Sequence, residues 1–270
     1  MRRIRLAKEH APISPGCSFE SLGQTLIEVS RVISPTERMP TDPLEGYLAV
    51  GRSALRAIRL AQLAARKPDF LTILDFPSGH GRVLRWLHAA YPRAQLTASD
   101  LLTDGVDFCR NTFAATGVYS NAEPTAAMFL ERYDLIFVGS LLTHVDIDQW
   151  DRLIDLWHAL LAPDGLLVVT THGPLVAERM RSGCFYGYPE PSINRLLRAY
   201  DHTGFGFLED SSATADYGIT LSNPDFVVRE LLRRHDFRVV LSTECLWSRH
   251  QDVIAVVKSP IDITICDHPD

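Results

Sequence analysis

The chain has 270 residues, of which 46% are hydrophobic and 22% charged, a composition typical of globular proteins rather than disordered or fibrous ones. Its 33 acidic residues exceed its 27 basic residues, and the net charge of −6 argues against nucleic-acid or anionic-membrane binding. No apolar run approaches the roughly 18 residues of a spanning helix, and no apolar signal segment follows the basic N-terminus. We predict a cytoplasmic protein with no nucleic-acid or membrane partner.

The cysteines do not form a metal-binding or disulfide pattern. They are odd in number and none lies within four residues of another, whereas zinc sites contain closely spaced pairs and disulfide scaffolds contain dense, even sets. Reduced thiols are therefore expected at Cys17, Cys109, Cys184, Cys245 and Cys266.

Residues 1–43 are predicted to be an N-terminal extension, because prolines recur through them and only residues 21–33 have apolar side chains at helical spacing. An amphipathic helix is predicted next, over residues 44–65, where apolar residues recur every three to four positions with arginines between them.

Beyond this helix, short apolar runs alternate with helical segments. Strands are predicted at residues 70–76, 95–99, 117–120, 134–138 and 165–171, and helices at 81–90, 103–116 and 146–161. Strands that alternate with helices indicate a parallel sheet with helices on both faces, and the continuous apolar runs of the later strands fit burial on both sides. The fold class is therefore α/β.

The last part of the chain departs from this alternation. A helix is predicted at residues 225–234. Only nine residues then separate predicted strands at 237–243 and 253–258, too few for a helical crossover, so these two strands should pair antiparallel. Residues 174–223 form a long insertion with one predicted helix, at 193–200.

The clearest functional motif is ILDFPSGHGR, residues 73–82, which places Gly79 and Gly81 between a strand and a helix. Glycines let a backbone approach a ligand closely, and a helix N-terminus offers free N–H donors and a positive dipole. Asp100 ends the next strand, where a carboxylate can accept hydrogen bonds from ribose hydroxyls. These features predict a nucleoside-binding unit. A dinucleotide fingerprint would have Gly or Ala where Leu84 stands, which disfavours the alternative of an NAD(P)-dependent oxidoreductase.

Four segments resemble the class I S-adenosylmethionine-dependent methyltransferases: the glycine turn ILDFPSGHG, the strand end ASD, RYDLIFVGSLLTHV and LLAPDGLLVVTTHG. The resemblance covers roughly residues 45–258. It implies a doubly wound, Rossmann-like, seven-stranded and mostly parallel sheet with an antiparallel last strand, in a domain of residues 44–258 before a tail of residues 259–270. It also implies S-adenosylmethionine as the cofactor. Pro77 replaces the usual glycine of the turn and removes an N–H donor, which leaves open a non-catalytic partner domain of the same fold.

The resemblance also assigns residues to the cofactor. Asp100 would bind the ribose, Leu101 would pack on the adenine, and Glu123 would reach the adenine amino group. The remaining assigned residues lie in the glycine turn and after the fourth strand: Asp75, Gly79, His80, Gly81, Ser140 and Leu141. Of these, His80 would contact either the cofactor or the backbone.

Methylation of an oxygen needs a base, because an alcohol becomes a good nucleophile only as its proton leaves. His144 and His172 follow the fourth and fifth strands, and open α/β sheets bind ligands at the carboxyl ends of their strands. Both are candidate catalytic residues, since imidazole titrates near neutral pH. The alternative for each is a structural bond to nearby backbone. His250, before the last strand, is a candidate for the acceptor pocket.

No metal site is predicted. Asp146, Asp148 and Asp151 lie at the start of a helix, where carboxylates complement the dipole and Asp146 can act as the N-cap.

The acceptor is expected to be a small molecule or a glycan. Residues 217–220 and 247–253 loosely resemble segments of bacterial methyltransferases found alongside glycosyltransferases of surface-glycan assembly. Aromatic residues of the insertion suit an acceptor-binding lid; the alternative is a subdomain or homodimer contact with its own core. They are Phe185, Tyr186, Tyr188, Tyr200, Phe205, Phe207 and Tyr217.

Overall fold

The computed structural model describes residues 27–210 and 217–259. The strands are β1 (Thr72–Asp75), β2 (Gln95–Asp100), β3 (Thr116–Tyr119), β4 (Tyr133–Val138), β5 (Leu161–Thr171), β6 (Phe205–Glu209), β7 (Gly218–Ser222), β8 (Phe237–Trp247) and β9 (Gln251–Lys258). The helices are α1 (Leu44–Ala64), α2 (Leu84–Ala90), α3 (Thr103–Phe113), α4 (Ile147–Leu160), α5 (Pro174–Arg181), α6 (Glu190–Thr203) and α7 (Pro224–Leu232).

The main sheet has seven strands in the order β3-β2-β1-β4-β5-β9-β8. Strands β1 to β5 are parallel to one another, and β9 runs antiparallel to both β5 and β8. The predicted seven-stranded, mostly parallel sheet with an antiparallel last strand is confirmed.

Helices cover both faces of this sheet. Successive residues of a strand point to opposite sides, and in β4 Leu135 and Phe137 join one apolar cluster while Ile136 and Val138 join another. The first cluster contains residues of α1, α2 and α3, and the second contains residues of α4 and α7. The sheet is therefore doubly wound, as its uninterrupted apolar strands predicted.

Several predicted boundaries differ from the structure by three or four residues, among them both ends of the helix predicted at 193–200, which spans Glu190–Thr203, and the end of the helix predicted at 103–116, which is Phe113. The helix predicted from residue 81 begins at Leu84, because Gly81 has a positive φ of 74° and still belongs to the turn. Strand β5 begins at Leu161 rather than at residue 165, since a register irregularity lets Leu161 pair with Tyr133. Strand β8 extends to Trp247 through a similar irregularity against β9.

The described part of the N-terminal extension, residues 27–43, lies against the glycine turn. Arg85 of α2 is buried, and its Nη1 donates to the carbonyl oxygens of Ser30 (2.8 Å) and Val32 (3.1 Å). The Nε of the same guanidinium donates to Gly81 O (3.1 Å). One buried cation therefore ties the extension to the turn.

The insertion has an apolar cluster of its own, which fits the subdomain alternative. Its buried members are Val176, Ala177, Met180, Ile193, Leu196, Leu197, Tyr200, Ile219 and Leu221. Strand β7 docks on the loop after β4: Gly218 N donates to His144 O (2.8 Å) and Thr220 N to Thr143 O (2.9 Å). Thr220 Oγ1 also donates to Val145 O (2.7 Å). The insertion is thus fixed directly beside the loop that carries His144.

None of the described helices combines the length and apolar character needed to cross a bilayer. Within the described ranges Cys109 is buried, Cys184 exposed and Cys245 partly exposed, and all three are free thiols. Cys17 and Cys266 lie outside those ranges.

Candidate active site

The glycine turn connects β1 to α2 and leaves open space above its first glycine. Gly79 has a φ of +51°, and a Cβ built there would meet nothing within 4 Å. A Cβ on Gly81 would instead come within 2.7 Å of the Phe113 ring. The second glycine is therefore required by packing, whereas the first presents bare backbone to the cleft, as a ligand cradle requires.

Asp100 organises this turn as well as ending β2. Its Oδ2 accepts from Gly79 N (2.7 Å) and its Oδ1 from Leu102 N (2.9 Å), and the residue is 7% exposed. A carboxylate has about four acceptor sites, so two backbone bonds leave capacity for ribose hydroxyls. The predicted ribose ligand thus also holds the backbone of the cradle.

Asp75, at the end of β1, is a buried acid whose nearby backbone donor among the described residues, the Leu84 amide, lies outside good hydrogen-bond geometry. It is 1% exposed, and neither carboxylate oxygen lies in hydrogen-bond geometry with a donor. Burial, and next the nearby Asp100 carboxylate, raise the pKa of Asp75 well above its usual range, against a smaller opposing effect of the Leu84 amide. An orphaned polar group beneath the cradle fits a bound ligand with hydrogen-bonding groups.

The two residues assigned to the adenine are both exposed at the surface. Leu101 is 62% exposed directly after β2, which leaves its side chain free to cover a flat ring. Glu123 is exposed, and its Oε1 lies 3.5 Å from Arg152 Nη1. The structure therefore keeps Leu101 near Asp100 and gives Glu123 a protein partner.

His80 is buried in contacts with the extension and α3. Its Nε2 lies 3.1 Å from Thr36 Oγ1 and 3.2 Å from Asp104 Oδ2, and its Nδ1 lies 3.7 Å from Glu37 Oε1. These partners are side chains rather than backbone, and the expected contact of His80 with the cofactor stays a prediction. The ring joins residues 27–43 to the turn.

A hydrogen-bonded group from three strands shapes the loop after β4. Ser140 has a φ of +61°, and its N–H donates to Thr170 Oγ1 (2.8 Å) of β5. Thr170 Oγ1 donates to Gln251 Oε1 (2.6 Å), and Gln251 Nε2 donates to Ser140 Oγ (2.9 Å). Leu141, also assigned to the cofactor, is partly buried next to this group. Sequence reasoning missed Thr170 and Gln251, because their link to Ser140 depends on the β5-β9 pairing.

His144 has its proton position fixed by one contact. Its Nδ1 lies 2.8 Å from Gly218 O, and a carbonyl can only accept, so Nδ1 carries the proton and Nε2 the lone pair in the neutral ring. The ring stacks on Tyr217, with centroids 4.7 Å apart and planes at 13°. Burial lowers the pKa of His144, and the bond to Gly218 opposes the shift.

His172, after β5, is buried much more deeply. It is 5% exposed, and its Nδ1 has no partner among the described residues. Burial, followed by the nearby His250 and His144, lowers the pKa of His172 to about 3. The ring therefore stays neutral throughout the physiological range.

His250 completes a group of three imidazoles. Strand β9 is antiparallel, so the residue before it lies at the same sheet edge as the carboxyl end of β5. The His250 ring is 5.1 Å from His172, and His172 is 6.2 Å from His144. Tyr186 of the insertion lies 5.8 Å from His250. The structure thus brings all three candidate histidines and two aromatic residues of the insertion together.

The acidic residues of α4 do not build a metal site. Asp146 is the N-cap and its Oδ1 accepts from Ile147 N (2.7 Å), as its position predicted. Among residues 27–210 and 217–259, no group of three or more His, Cys, Asp or Glu side chains is arranged to hold a metal ion.

A protein family and a curated protein are similar to parts of this chain. Residues 51–204 match the family described as "Methyltransferase domain". The ubiquinone/menaquinone biosynthesis C-methyltransferase UbiE of Desulfotalea psychrophila is 24% identical over 158 residues, which is 57% of this chain and 63% of that protein. The chain therefore aligns with less than two thirds of that relative's length.

Two solved structures share the fold. The 1,6-didemethyltoxoflavin-N1-methyltransferase of Burkholderia thailandensis has a TM-score of 0.53 at 16% identity, covering 86% of this chain and 95% of its own. The plantazolicin methyltransferase BpumL also has a TM-score of 0.53, at 12% identity, covering 82% of this chain and 88% of its own.

The family match spans more than half of the chain, and it agrees with the glycine turn, the Asp100 carboxylate and the antiparallel β9. It favours a methyltransferase over the nicotinamide-dependent alternative. The chain therefore belongs to the class I S-adenosylmethionine-dependent methyltransferases, and S-adenosylmethionine is its cofactor.

Proposed function

We propose that this protein transfers a methyl group from S-adenosylmethionine to a hydroxyl oxygen of a small-molecule or glycan acceptor, with His144 as the general base. The observation that carries this proposal is the fixed tautomer of His144. Its Nδ1–H is held by Gly218 O, so its Nε2 offers a lone pair at the sheet edge where cofactor and acceptor meet.

The cofactor would be held by the first half of the sheet. The Gly79 backbone and Asp75 would face its amino-acid portion, Asp100 its ribose and Leu101 its adenine, while Ser140 lines the end nearest His144. When bound, the cofactor supplies a methyl group activated by a positive sulfur. The residues hold this group in line with the acceptor oxygen, and such orientation provides a large part of the rate enhancement.

His144 would take the hydroxyl proton on Nε2 while the oxygen forms its bond to the methyl carbon and the carbon–sulfur bond breaks. The lowered pKa of His144 keeps the ring neutral and able to accept at neutral pH. The Gly218 carbonyl stabilises the imidazolium that forms, and that ring then returns its proton to water. His172 is a poorer base, because an imidazole with a pKa of about 3 holds a proton weakly.

The acceptor would lie between these histidines and the insertion. Tyr217 stacks on His144 and Tyr186 lies beside His172 and His250, so aromatic rings of the insertion border the space next to Nε2. Such a border suits a sugar or an aromatic ring, and the glycan class stays a prediction.

Two measurements test the proposed function. Calorimetry should detect S-adenosylhomocysteine binding with no comparable affinity for NAD or NADP. Incubation with methyl-labelled S-adenosylmethionine and a panel of phenols, free sugars and nucleotide sugars should give a product methylated on oxygen, identified by mass spectrometry. Binding without transfer to any hydroxyl, or transfer to nitrogen or carbon, would contradict the proposal.

A further inference from the structure

His144 and His250 hold their protons on opposite ring nitrogens. Gly218 O can only accept, so His144 Nδ1 donates. Arg179 Nη1 lies 2.7 Å from His250 Nδ1, and a guanidinium can only donate, so His250 Nδ1 accepts. In the neutral rings, Nε2 of His144 is therefore a lone pair and Nε2 of His250 is an N–H donor.

Arg179 is itself anchored. Its Nη2 donates to Arg249 O (3.1 Å), and its charge lies near the Tyr186 hydroxyl, where it opposes the rise in pKa that burial causes. Burial, and next the Arg179 charge, lower the pKa of His250, so the ring stays neutral and its Nδ1 lone pair stays available to Arg179. The contact between α5 and the turn before β9 thus fixes one tautomer.

The rings of His144 and His250 both pack near that of His172, with centroids 6.2 Å and 5.1 Å from its centroid, and Tyr186 lies 5.8 Å from His250. The lone pair of His144 and the donor of His250 thus belong to two rings that share His172 as a neighbour. One ring can take a proton while the other gives a hydrogen bond.

We propose that His250 binds the acceptor by donating Nε2–H to a second polar atom of that molecule, and that Arg179 is the positioning residue that fixes the His250 tautomer. The acceptor class is then a compound that carries, besides the hydroxyl to be methylated, another oxygen or nitrogen able to accept a hydrogen bond. This inference rests on the proposed function for the role of His144, but the tautomer of His250 is measurable without any acceptor.

The first test reads the tautomers directly. In the full chain with S-adenosylhomocysteine bound, long-range ¹H–¹⁵N correlation spectra of the histidine rings should show His144 as the Nδ1–H form and His250 as the Nε2–H form. Arg179→Met should convert His250 to a mixture of tautomers and leave His144 unchanged as an internal control. A His250 signal unaffected by Arg179→Met would overturn the positioning role.

The second test uses phenol and its three dihydroxy analogues (catechol, resorcinol and hydroquinone) as probes that differ by one oxygen at three spacings. With S-adenosylhomocysteine present, at least one diol should bind about three- to tenfold more tightly than phenol, the effect of one added hydrogen bond. His250→Gln, whose amide nitrogen can stand near Nε2, should keep this preference. His250→Asn, whose amide reaches only the Nδ1 position, should abolish it.

Equal binding of all four probes, or a diol preference that survives in His250→Asn, would overturn the acceptor-binding role. Affinity for S-adenosylhomocysteine should stay unchanged in every variant, which separates a local effect from misfolding. Failure of the wild-type chain to bind S-adenosylhomocysteine would count against the proposed function instead. It would not contradict the tautomer assigned to His250, which follows from the contact with Arg179.

Discussion

The half of the sheet that we assign to the cofactor and the half that we assign to the acceptor are built differently. Around the cofactor, Asp100 bonds Gly79 and Leu102 within one βαβ unit. Around the acceptor, His144 bonds Gly218, 74 residues away, and Arg179 bonds His250, 71 residues away. The part assigned to the ribose is therefore held within one supersecondary unit, whereas the contacts of the acceptor half depend on the docked insertion.

Burial shifts pKa values in both halves of the sheet, in opposite directions. Beneath the cradle, burial raises the pKa of the Asp75 carboxyl, and at the acceptor side it lowers the pKa of His144 and His172. Both shifts favour the neutral form of the group. The imidazoles of the acceptor side are thereby kept uncharged, and the anchored Arg179 guanidinium lies beside one of them.

The largest effect is expected in the acceptor half. His144→Ala should lower kcat by about 10²–10⁴, because general-base assistance acts in the transition state. His172→Ala is the matched control on the neighbouring strand and should lose much less, since its pKa of about 3 makes it a weak base. Steady-state kinetics with an acceptor identified by the methyl-labelling assay would measure both.

The pH dependence of the rate is a second test of His144 as the general base. The rate of the wild-type enzyme should fall as pH drops below the lowered pKa of His144, which lies under its ordinary value of about 6.5. This acid limb should be absent from the residual rate of His144→Ala. A large loss in His172→Ala with a small one in His144→Ala would move the base to β5.

In the cofactor half, Asp100→Ala should weaken S-adenosylhomocysteine binding about ten- to hundredfold, the effect of losing a charged hydrogen-bond acceptor. Calorimetry measures the change. Asp107→Ala is the control, because Asp107 is a half-exposed carboxylate on α3 whose hydrogen bonds go to Tyr119 and Arg110 rather than to the turn. Equal affinity of both variants would show that Asp100 does not bind the ribose.

Stability should depend on pH through His172. Its pKa is about 3 in the folded chain and about 6.5 when unfolded, so between these values the unfolded chain binds the extra proton. The free energy of unfolding should therefore fall as pH drops from about 6.5 towards 3, by at most about 1.4 kcal/mol per pH unit from this group. Urea titrations of wild type and His172→Gln between pH 7 and 5 test this. Parallel pH slopes would argue against a neutral, buried His172.

The smallest effect concerns the docking of the insertion. Thr220→Val removes the bond from Thr220 Oγ1 to Val145 O and leaves a buried carbonyl without that donor, which should cost about 1–3 kcal/mol. Thr171→Val is the matched control, since Thr171 Oγ1 is buried with no hydrogen-bond partner among the described residues. That variant should be neutral or stabilising by chemical denaturation. A larger loss of stability in Thr171→Val than in Thr220→Val would contradict the role of the Thr220–Val145 hydrogen bond in docking the insertion.

The sequence predicted the strands and the glycine turn of the first βαβ unit because their information is local. Two glycines after an apolar strand, with a carboxylate at the end of the next strand, are typical of one arrangement, the nucleoside-binding βαβ unit. Two contacts were not predictable, the bond from Gly79 N–H to Asp100 and the bond of His80 to the extension, because both depend on how the turn is packed.

By itself, the sequence determined the α/β class, the parallel order with an antiparallel last strand, the glycine turn and the sheet edge at which His144 and His172 lie. Only the tertiary structure decided which ring nitrogen of His144 carries a proton, how far burial lowers the pKa of His172, and that Arg179 reaches His250. The physical reason is distance along the chain. Strand periodicity and turn chemistry act over a few residues, whereas a tautomer is set by the one atom that docks against the ring, and that atom comes from an insertion folded around its own core.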